Sequence, residues 1–264
     1  VKFSVVTPSY NQAEFIERTL RSVHDQQGDF ELEHFVVDGG SDDGTVEILE
    51  RWKDKLDYVS EPDRGQSHAL NKGVAKATGD VIVWLNSDDV LFEGTLQMVA
   101  DFFRQNPDKQ WVYGKAKFID EADEEIRKPI TWYKNLLLRR YSFTKLLIEN
   151  YITQVAVFFR RSLYEQVNGV DEDLKYDMDY DLWLKFGKVS DPGVLNRYMG
   201  GFRFYTGCKT GGDIDETLKV AYEISQKYAD EAGKSWIGFV NYWWYYKRTS
   251  LIYRLLSEDK DDNR

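Results

Sequence analysis

Five consecutive apolar residues, Val81-Ile82-Val83-Trp84-Leu85, run straight into a polar group, Asn86-Ser87-Asp88-Asp89. Side chains alternate across a strand, so an unbroken apolar run needs cover on both faces. That condition is met at the centre of a parallel sheet flanked by helices. The surrounding chain fits such a sheet. Residues 3–7 form a β-rich run ending at Pro8, followed by a helical pattern with Phe15, Ile16, Leu20 and Val23 on one face. Residues 35–37 read as a strand broken by Asp38-Gly39-Gly40, residues 45–52 as a helix and Tyr58-Val59 as a brief strand. A helix over 67–77 stops at Gly79, and another over 94–104 ends before Pro107. This alternation predicts an α/β, Rossmann-like fold with a mostly parallel central sheet and helices on both faces.

Such sheets bind ligands beyond the carboxyl ends of their strands. Three polar groups fall there: residues 8–11, 38–45 and 86–89. They are remote in sequence, yet the topology brings them to one edge. Asp38 can accept hydrogen bonds from a base N–H or a ribose hydroxyl, and the glycines beside it allow close approach of backbone to ligand. A tight turn with Asp43 or Ser41 capping the next helix explains the same residues, and both readings stay open. Carboxylates at the end of the most buried strand are costly unless a cation pairs with them. A hard ion such as Mg²⁺ or Mn²⁺ prefers oxygen ligands and bridges diphosphate oxygens.

The second half is less regular. Short helices are expected over 130–150, a strand over 155–159, a helix over 177–188 with an acidic start, a strand over 200–205 and a helix over 213–228. The expected division is a catalytic domain over 1–210, with halves 1–115 and 116–210, and a helical C-terminal extension over 211–264 with a charged, frayed tail at 257–264. The chain has 264 residues, 42% of them hydrophobic, enough for a sizeable core. Thirty-five Lys and Arg against 45 Asp and Glu leave a net charge of −10, with no dominant basic patch, which argues against a nucleic-acid partner. Cys208 is the sole cysteine, which fits a reducing, cytoplasmic setting. No apolar run reaches membrane-spanning length.

The runs Val5-Val6-Thr7-Pro8-Ser9-Tyr10-Asn11, residues 36–45, and Gly79-Asp80 through Asn86-Ser87-Asp88-Asp89 together resemble family 2 of the glycosyltransferases, with the GT-A fold. The segments 158–164 and Asp179-Tyr180-Asp181-Leu182-Trp183-Leu184 resemble the later part of that family, so the likeness spans about residues 3–210. The resemblance implies an inverting transferase acting in bacterial surface-polysaccharide synthesis. It would move a sugar from a nucleoside-diphosphate donor, typically a UDP-sugar, to a glycan or lipid-linked acceptor hydroxyl.

The same resemblance implies roles for individual residues. Pro8 and Tyr10 would line the nucleotide pocket and Asp38 would bind the base. Asn86 and Ser87 would lie on the donor side, and Arg64 and Lys72 would reach the diphosphate. Asp88 would hold the Mn²⁺ or Mg²⁺ of a DxD-like motif. Asp179 would be the general base. Gln154, Asp89, Asp181 and Trp183 would lie near the donor sugar or acceptor.

Three residues depart from the family pattern. Asn86 replaces the first Asp of the DxD motif, Met178 precedes Asp179 where an acid is usual, and Tyr205 stands where many relatives carry a metal-completing His. His24, His34 and His68 do not obviously replace that His, although His68 could line the donor site. A catalytically weak nucleotide-sugar or glycan-binding relative is therefore the alternative. A dinucleotide oxidoreductase lacks support, since no G-x-G-x-x-G follows the first strand. Trp236, Phe239, Trp243, Tyr246 and Ile252 form a stripe at roughly helical spacing. Packing onto the catalytic domain or a second copy is the expected role, and peripheral attachment at the inner face of a membrane is the sharper one.

Overall fold

A computed structural model describes residues 1–209 and 214–249. The first half contains β1 (Lys2–Ser9), α1 (Ile16–His24), β2 (Glu31–Asp38), α2 (Thr45–Arg51), β3 (Asp57–Ser60), α3 (Gln66–Lys76), β4 (Val81–Trp84), β5 (Val90–Leu91) and α4 (Thr95–Gln105). Then come β6 (Trp111–Ile119), β7 (Glu125–Ile126), α5 (Lys128–Leu138), α6 (Phe143–Ile148), β8 (Val157–Arg160), α7 (Arg161–Gln166), α8 (Met178–Val189) and β9 (Gly193–Arg203). The described chain closes with α9 (Ile214–Glu231), α10 (Trp236–Val240) and a π-helical turn (Asn241–Lys247).

The strands form one sheet in the order β3-β2-β1-β4-β8-β6-β9-β5, with β7 paired to β6. β1 to β4 are mutually parallel, and β6 and β9 are also parallel. β8 runs antiparallel between β4 and β6, joining the halves. The apolar run in β4 is covered on both faces, as its composition requires. Ile82 and Trp84 enter a core with Leu70 and Val74 of α3 and Trp183 of α8. Val81, Val83 and Leu85 enter the opposite core with Val23 of α1 and Leu96 and Val99 of α4.

Gly79 serves the sheet rather than the helix end. α3 stops at Lys76, and a Cβ on Gly79 would lie 2.6 Å from Ser4 Oγ and 2.8 Å from Lys2 O. The nine-residue strand β6 has no counterpart in the sequence reading. Lys115 and Lys117 interrupt its apolar pattern, and Gly114, where a Cβ would meet Met199 Cγ at 2.2 Å, breaks its propensity. The strand expected over 200–205 starts earlier, at Gly193.

The C-terminal helices share the main core: Ala221, Ile224, Tyr228, Ala229 and Ile237 pack with Trp183 and Phe186. The aromatic stripe does not pack onto the catalytic domain. Trp236, Phe239 and Trp243 are 58%, 72% and 58% exposed, whereas Ile237 and Asn241 turn inward. Asn241 Nδ2 donates to Ile148 O at 2.7 Å, fixing that inward face. Ile252 and the tail 257–264 lie outside the described residues.

Candidate active site

The turns after β1 and β2 are stitched together by their own polar groups. Asn11 N donates to Ser41 Oγ at 2.7 Å, Asp42 N to Asn11 Oδ1 at 3.1 Å and Gly39 N to Ser9 O at 2.9 Å. Asp43 accepts from Ala13 N at 2.9 Å and from Thr45 N at 3.0 Å, so it caps the approach to α2. The turn after β4 meets them at one cleft of about 1250 Å³, lined by Pro8, Tyr10, Gly39, Asn86, Ser87 and Asp88 on one side. Such a volume exceeds the roughly 300–1,000 Å³ of a typical small-ligand pocket, leaving room for two substrates.

The turn after β4 is held from behind. Arg203 is buried; its Nε donates to Asp88 O at 2.7 Å, its backbone N donates to Asp89 Oδ1 at 2.8 Å, and its guanidinium also binds Asp120 O and Asp123. Asp88 thereby faces the cleft, where Tyr205 Oη donates to its Oδ2 at 3.3 Å. Burial raises the Asp88 carboxyl above its ordinary range, partly offset by the Tyr205 hydroxyl and Arg203. Asn86 spends its whole side chain on protein partners. Its Oδ1 accepts from Gln66 Nε2 (2.7 Å) and Trp84 Nε1 (2.8 Å), and its Nδ2 donates to Gln154 Oε1 (3.2 Å) and Asp89 Oδ2 (3.3 Å).

The opposite wall is built by α5, the segment before β8 and the start of α8. Asp177 and Asp179 both line it, with Lys134, Glu149, Asn150 and Arg248. Burial raises the carboxyl of Asp179; its own helix-start amide at Tyr180, donating at 2.8 Å, and Lys134 pull it back. Burial, then repulsion from Asp179, pushes Asp177 well above the usual carboxylate range. Burial lowers the Lys134 ammonium, opposed by Asp179, Glu149 and Asp177. A cation and a carboxylate pair sharing one desolvated wall is an arrangement that tunes a general base.

Residues 4–167 match the family model described as Glycosyl transferase family 2. The chain belongs to that family. An uncharacterized glycosyltransferase of Mycobacterium tuberculosis is 31% identical over 197 residues, covering 73% of this chain and 71% of the relative. A PGL/p-HBAD biosynthesis glycosyltransferase of Mycobacterium bovis is 30% identical over 203 residues, 75% of this chain and 73% of its own. Among solved structures, S. aureus TarS 1–349 in complex with UDP-GlcNAc superposes with a TM-score of 0.65 at 18% identity, over 85% of this chain and 66% of that one. The mannosyltransferase PcManGT of Pyrobaculum calidifontis, in complex with GDP-Man and Mn²⁺, gives 0.62 at 20% identity, over 90% and 72%. These two likenesses show the GT-A fold.

Within this family 2 fold, several residues expected at the site lie elsewhere. Asp38 is fully buried and its carboxylate accepts from Gly40 N, Ser41 N, Ser41 Oγ and Ser60 Oγ; it shapes the turn, and Gly39 faces the cleft instead. Arg64 pairs with Glu172 and Lys72 with Glu61, and neither lines the cleft. Asp89 points back to Arg203 and Asn86. Asp181 is buried between Lys185, at 2.8 Å, and the Tyr228 hydroxyl, also at 2.8 Å. Trp183 is a core residue stacked on Trp111 at 6.1 Å and flanked by Trp84, Phe159 and Phe186. Asp38, Asp89, Asp181 and Trp183 lie on the family's motifs, but their side chains are buried away from the cleft.

None of the three histidines lines the cleft. His34 hydrogen-bonds Thr7 Oγ1 and His24, and burial pushes it down to about 3, with His24 adding to the drop. His68, in the first turn of α3, accepts from Arg64 N at 3.4 Å. Cleft residues that the sequence did not single out include Asp177, present there only within the acidic start of a helix, and Lys134, Glu149 and Arg248. The signal for Lys134 was a lone cation between Tyr133 and Leu137 on a helix of apolar and aromatic residues.

Among the described residues no group of three His, Cys, Asp or Glu is placed to hold a metal ion. Asp88 is the carboxylate of its turn that faces the cleft. One carboxylate suits an ion that takes its remaining ligands from substrate phosphates and water, as Mg²⁺ commonly does. The residues therefore fit a divalent ion held jointly with a diphosphate.

Proposed function

We propose that this cleft transfers a sugar, with inversion, from a nucleoside-diphosphate donor to an acceptor hydroxyl. The observation that carries the reading is that Asp88 and Asp179, 91 positions apart in the chain, line one cavity from opposite walls. Pro8, Tyr10 and Gly39 supply a surface for the nucleoside, UDP being the donor nucleotide we favour. Tyr10, 63% exposed, offers its ring for stacking against a base. The donor diphosphate lies toward Asp88. Mn²⁺ or Mg²⁺ there would offset charge developing on the leaving group.

Asp179 accepts the proton of the acceptor hydroxyl as its oxygen attacks the anomeric carbon. The carbon–oxygen bond to the diphosphate breaks on the far side, which inverts that carbon. The raised carboxyl of Asp179 suits proton abstraction near neutral pH. Asn86 and Gln154 bind each other, the Asp88 turn and Trp84 O, and so hold the floor between the two acids rigid. The TarS complex with UDP-GlcNAc and the PcManGT complex with GDP-Man and Mn²⁺ support a nucleotide-sugar donor. The acceptor we favour is a glycan or lipid-linked hydroxyl.

Asp179→Asn tests the assignment. It should lower transfer by about 10²–10⁴-fold while donor affinity by calorimetry stays within about twofold. Near-normal transfer by this variant would remove Asp179 from the chemistry.

A further inference from the structure

Charge in this acidic chain is sharply segregated. Residues 127–148 contain six Lys and Arg and no Asp or Glu, and residues 232–256 contain four and none. Among the described residues, the same two stretches carry six of the nine exposed large hydrophobic side chains: Trp132, Leu136, Trp236, Phe239, Trp243 and Trp244. They are also packed together. Arg248 Nη1 donates to Tyr133 Oη at 2.9 Å, its guanidinium lies 5.4 Å from the Trp244 ring, and Lys234 Nζ donates to Thr144 Oγ1 at 2.8 Å.

On α5, Trp132 and Leu136 stand four apart on one side, and Arg139 and Arg140 follow seven and eight positions after Trp132, all exposed. Trp236, Phe239 and Trp243 repeat that spacing, with exposed Lys247 four residues further. The inward sides are occupied by Thr131, Asn135 and Leu138 on α5 and by Ile237 and Asn241 on the C-terminal segment. The exposed aromatics are therefore not substitutes for core residues.

We infer that α5 and the segment 236–249 form one docking surface for an anionic lipid bilayer. Tryptophan and tyrosine interleaved with lysine and arginine are the side chains that settle at a membrane interface, rings at headgroup level and cations toward anionic lipid. No helix among the described residues is long and apolar enough to cross a membrane, which agrees with a surface that lies on it. The sequence beyond the described segment continues the pattern: Leu251, Ile252, Tyr253, Arg254, Leu255 and Leu256 precede the next acid, Glu258.

The surface is continuous with the cleft, since Tyr133, Tyr245, Arg248 and Thr249 line it. A docked molecule would present the wall carrying Asp179 to an acceptor embedded in the lipid. That last step rests on the proposed transfer reaction, but docking itself does not.

The test is flotation of the full chain with phosphatidylglycerol–phosphatidylcholine vesicles and with pure phosphatidylcholine vesicles, at low and high salt. A Trp236→Ser/Phe239→Ser/Trp243→Ser variant is compared, and light scattering reports oligomeric state. Expected are binding to the anionic vesicles, loss on neutral vesicles or in high salt, and at least about tenfold weaker partitioning of the triple variant. Donor hydrolysis in vesicle-free buffer should be the same for both proteins, because these three residues do not line the cleft. No flotation, equal flotation of the variant, or a vesicle-independent dimer abolished by the variant would overturn the inference. The last result would assign the surface to a second copy. Loss of hydrolysis by Asp179→Asn with flotation intact would leave docking standing, so the two readings fail separately.

Discussion

Replacing Lys134 with methionine keeps most of its volume and deletes its charge. In the wild-type cleft this ammonium favours the ionised forms of Asp177 and Asp179. Removing it lets the desolvation of both carboxyls act with less opposition, so their titration moves upward. An opposite charge nearby is worth about 1–3 pH units to a carboxylate. Lys209 also acts on Asp177, so the lower end, about one unit or 1.4 kcal/mol, is the expected shift.

The general base must be ionised, so the acid limb of the pH–rate profile should move up by about one unit. At the wild-type midpoint the ionised fraction falls from a half to about a tenth, a rate loss of about fivefold. Two units higher, the two rates should agree within about a tenth. The assay is release of nucleoside diphosphate across pH, using the nucleotide sugar that gives the largest thermal shift. Lys134→Arg, which keeps the charge, should return the limb toward its original position. A uniform loss at every pH with an unmoved midpoint would refute the electrostatic argument and make Lys134 a substrate-binding or packing residue.

Two other substitutions separate the cleft from its support. Asp88→Ala should abolish the Mn²⁺-dependent part of donor affinity in calorimetry while leaving metal-free nucleotide binding within about twofold; undiminished manganese dependence would exclude Asp88 as the ligand. Trp183→Ala removes a ring packed between Trp84 and Trp111, and a buried Trp truncation costs about 3–5 kcal/mol. Its melting temperature should fall by about 10 °C, with loss of activity following loss of fold. A variant with an unchanged melting point but altered donor or acceptor affinity would return Trp183 to the site.

The parallel half of the sheet was legible because its strands obey simple burial rules. β4 must be covered on both faces, and the chain around it alternates strand and helix with recognisable stops. β6 was not legible, because Gly114 and the half-buried Lys115 and Lys117 make sense only once Met199 and β9 lie beside it. Site residues followed the same division. Pro8, Tyr10, Ser87, Asp88, Gln154 and Asp179 reach the cleft as their motifs implied.

Asp38, Asp89, Asp181 and Trp183 belong to the same motifs but face inward. Sequence proximity to a catalytic residue does not report side-chain direction at a turn or across a helix. Asp177 and Lys134 were missed because their pairing depends on α5 meeting the start of α8, a tertiary contact between segments more than 40 residues apart. The aromatic stripe was readable as a pattern. Which way it faced was decided by Ile237 and Asn241, which occupy the inward side.

Crystals grown with a nucleotide sugar and Mn²⁺ and measured at the manganese absorption edge test the central claim directly. Expected are an anomalous peak between Asp88 and the donor diphosphate, the base beside Pro8, Tyr10 and Gly39, and the anomeric carbon exposed toward Asp179. A donor bound outside this cleft, or one whose anomeric carbon faces away from Asp179, would contradict it.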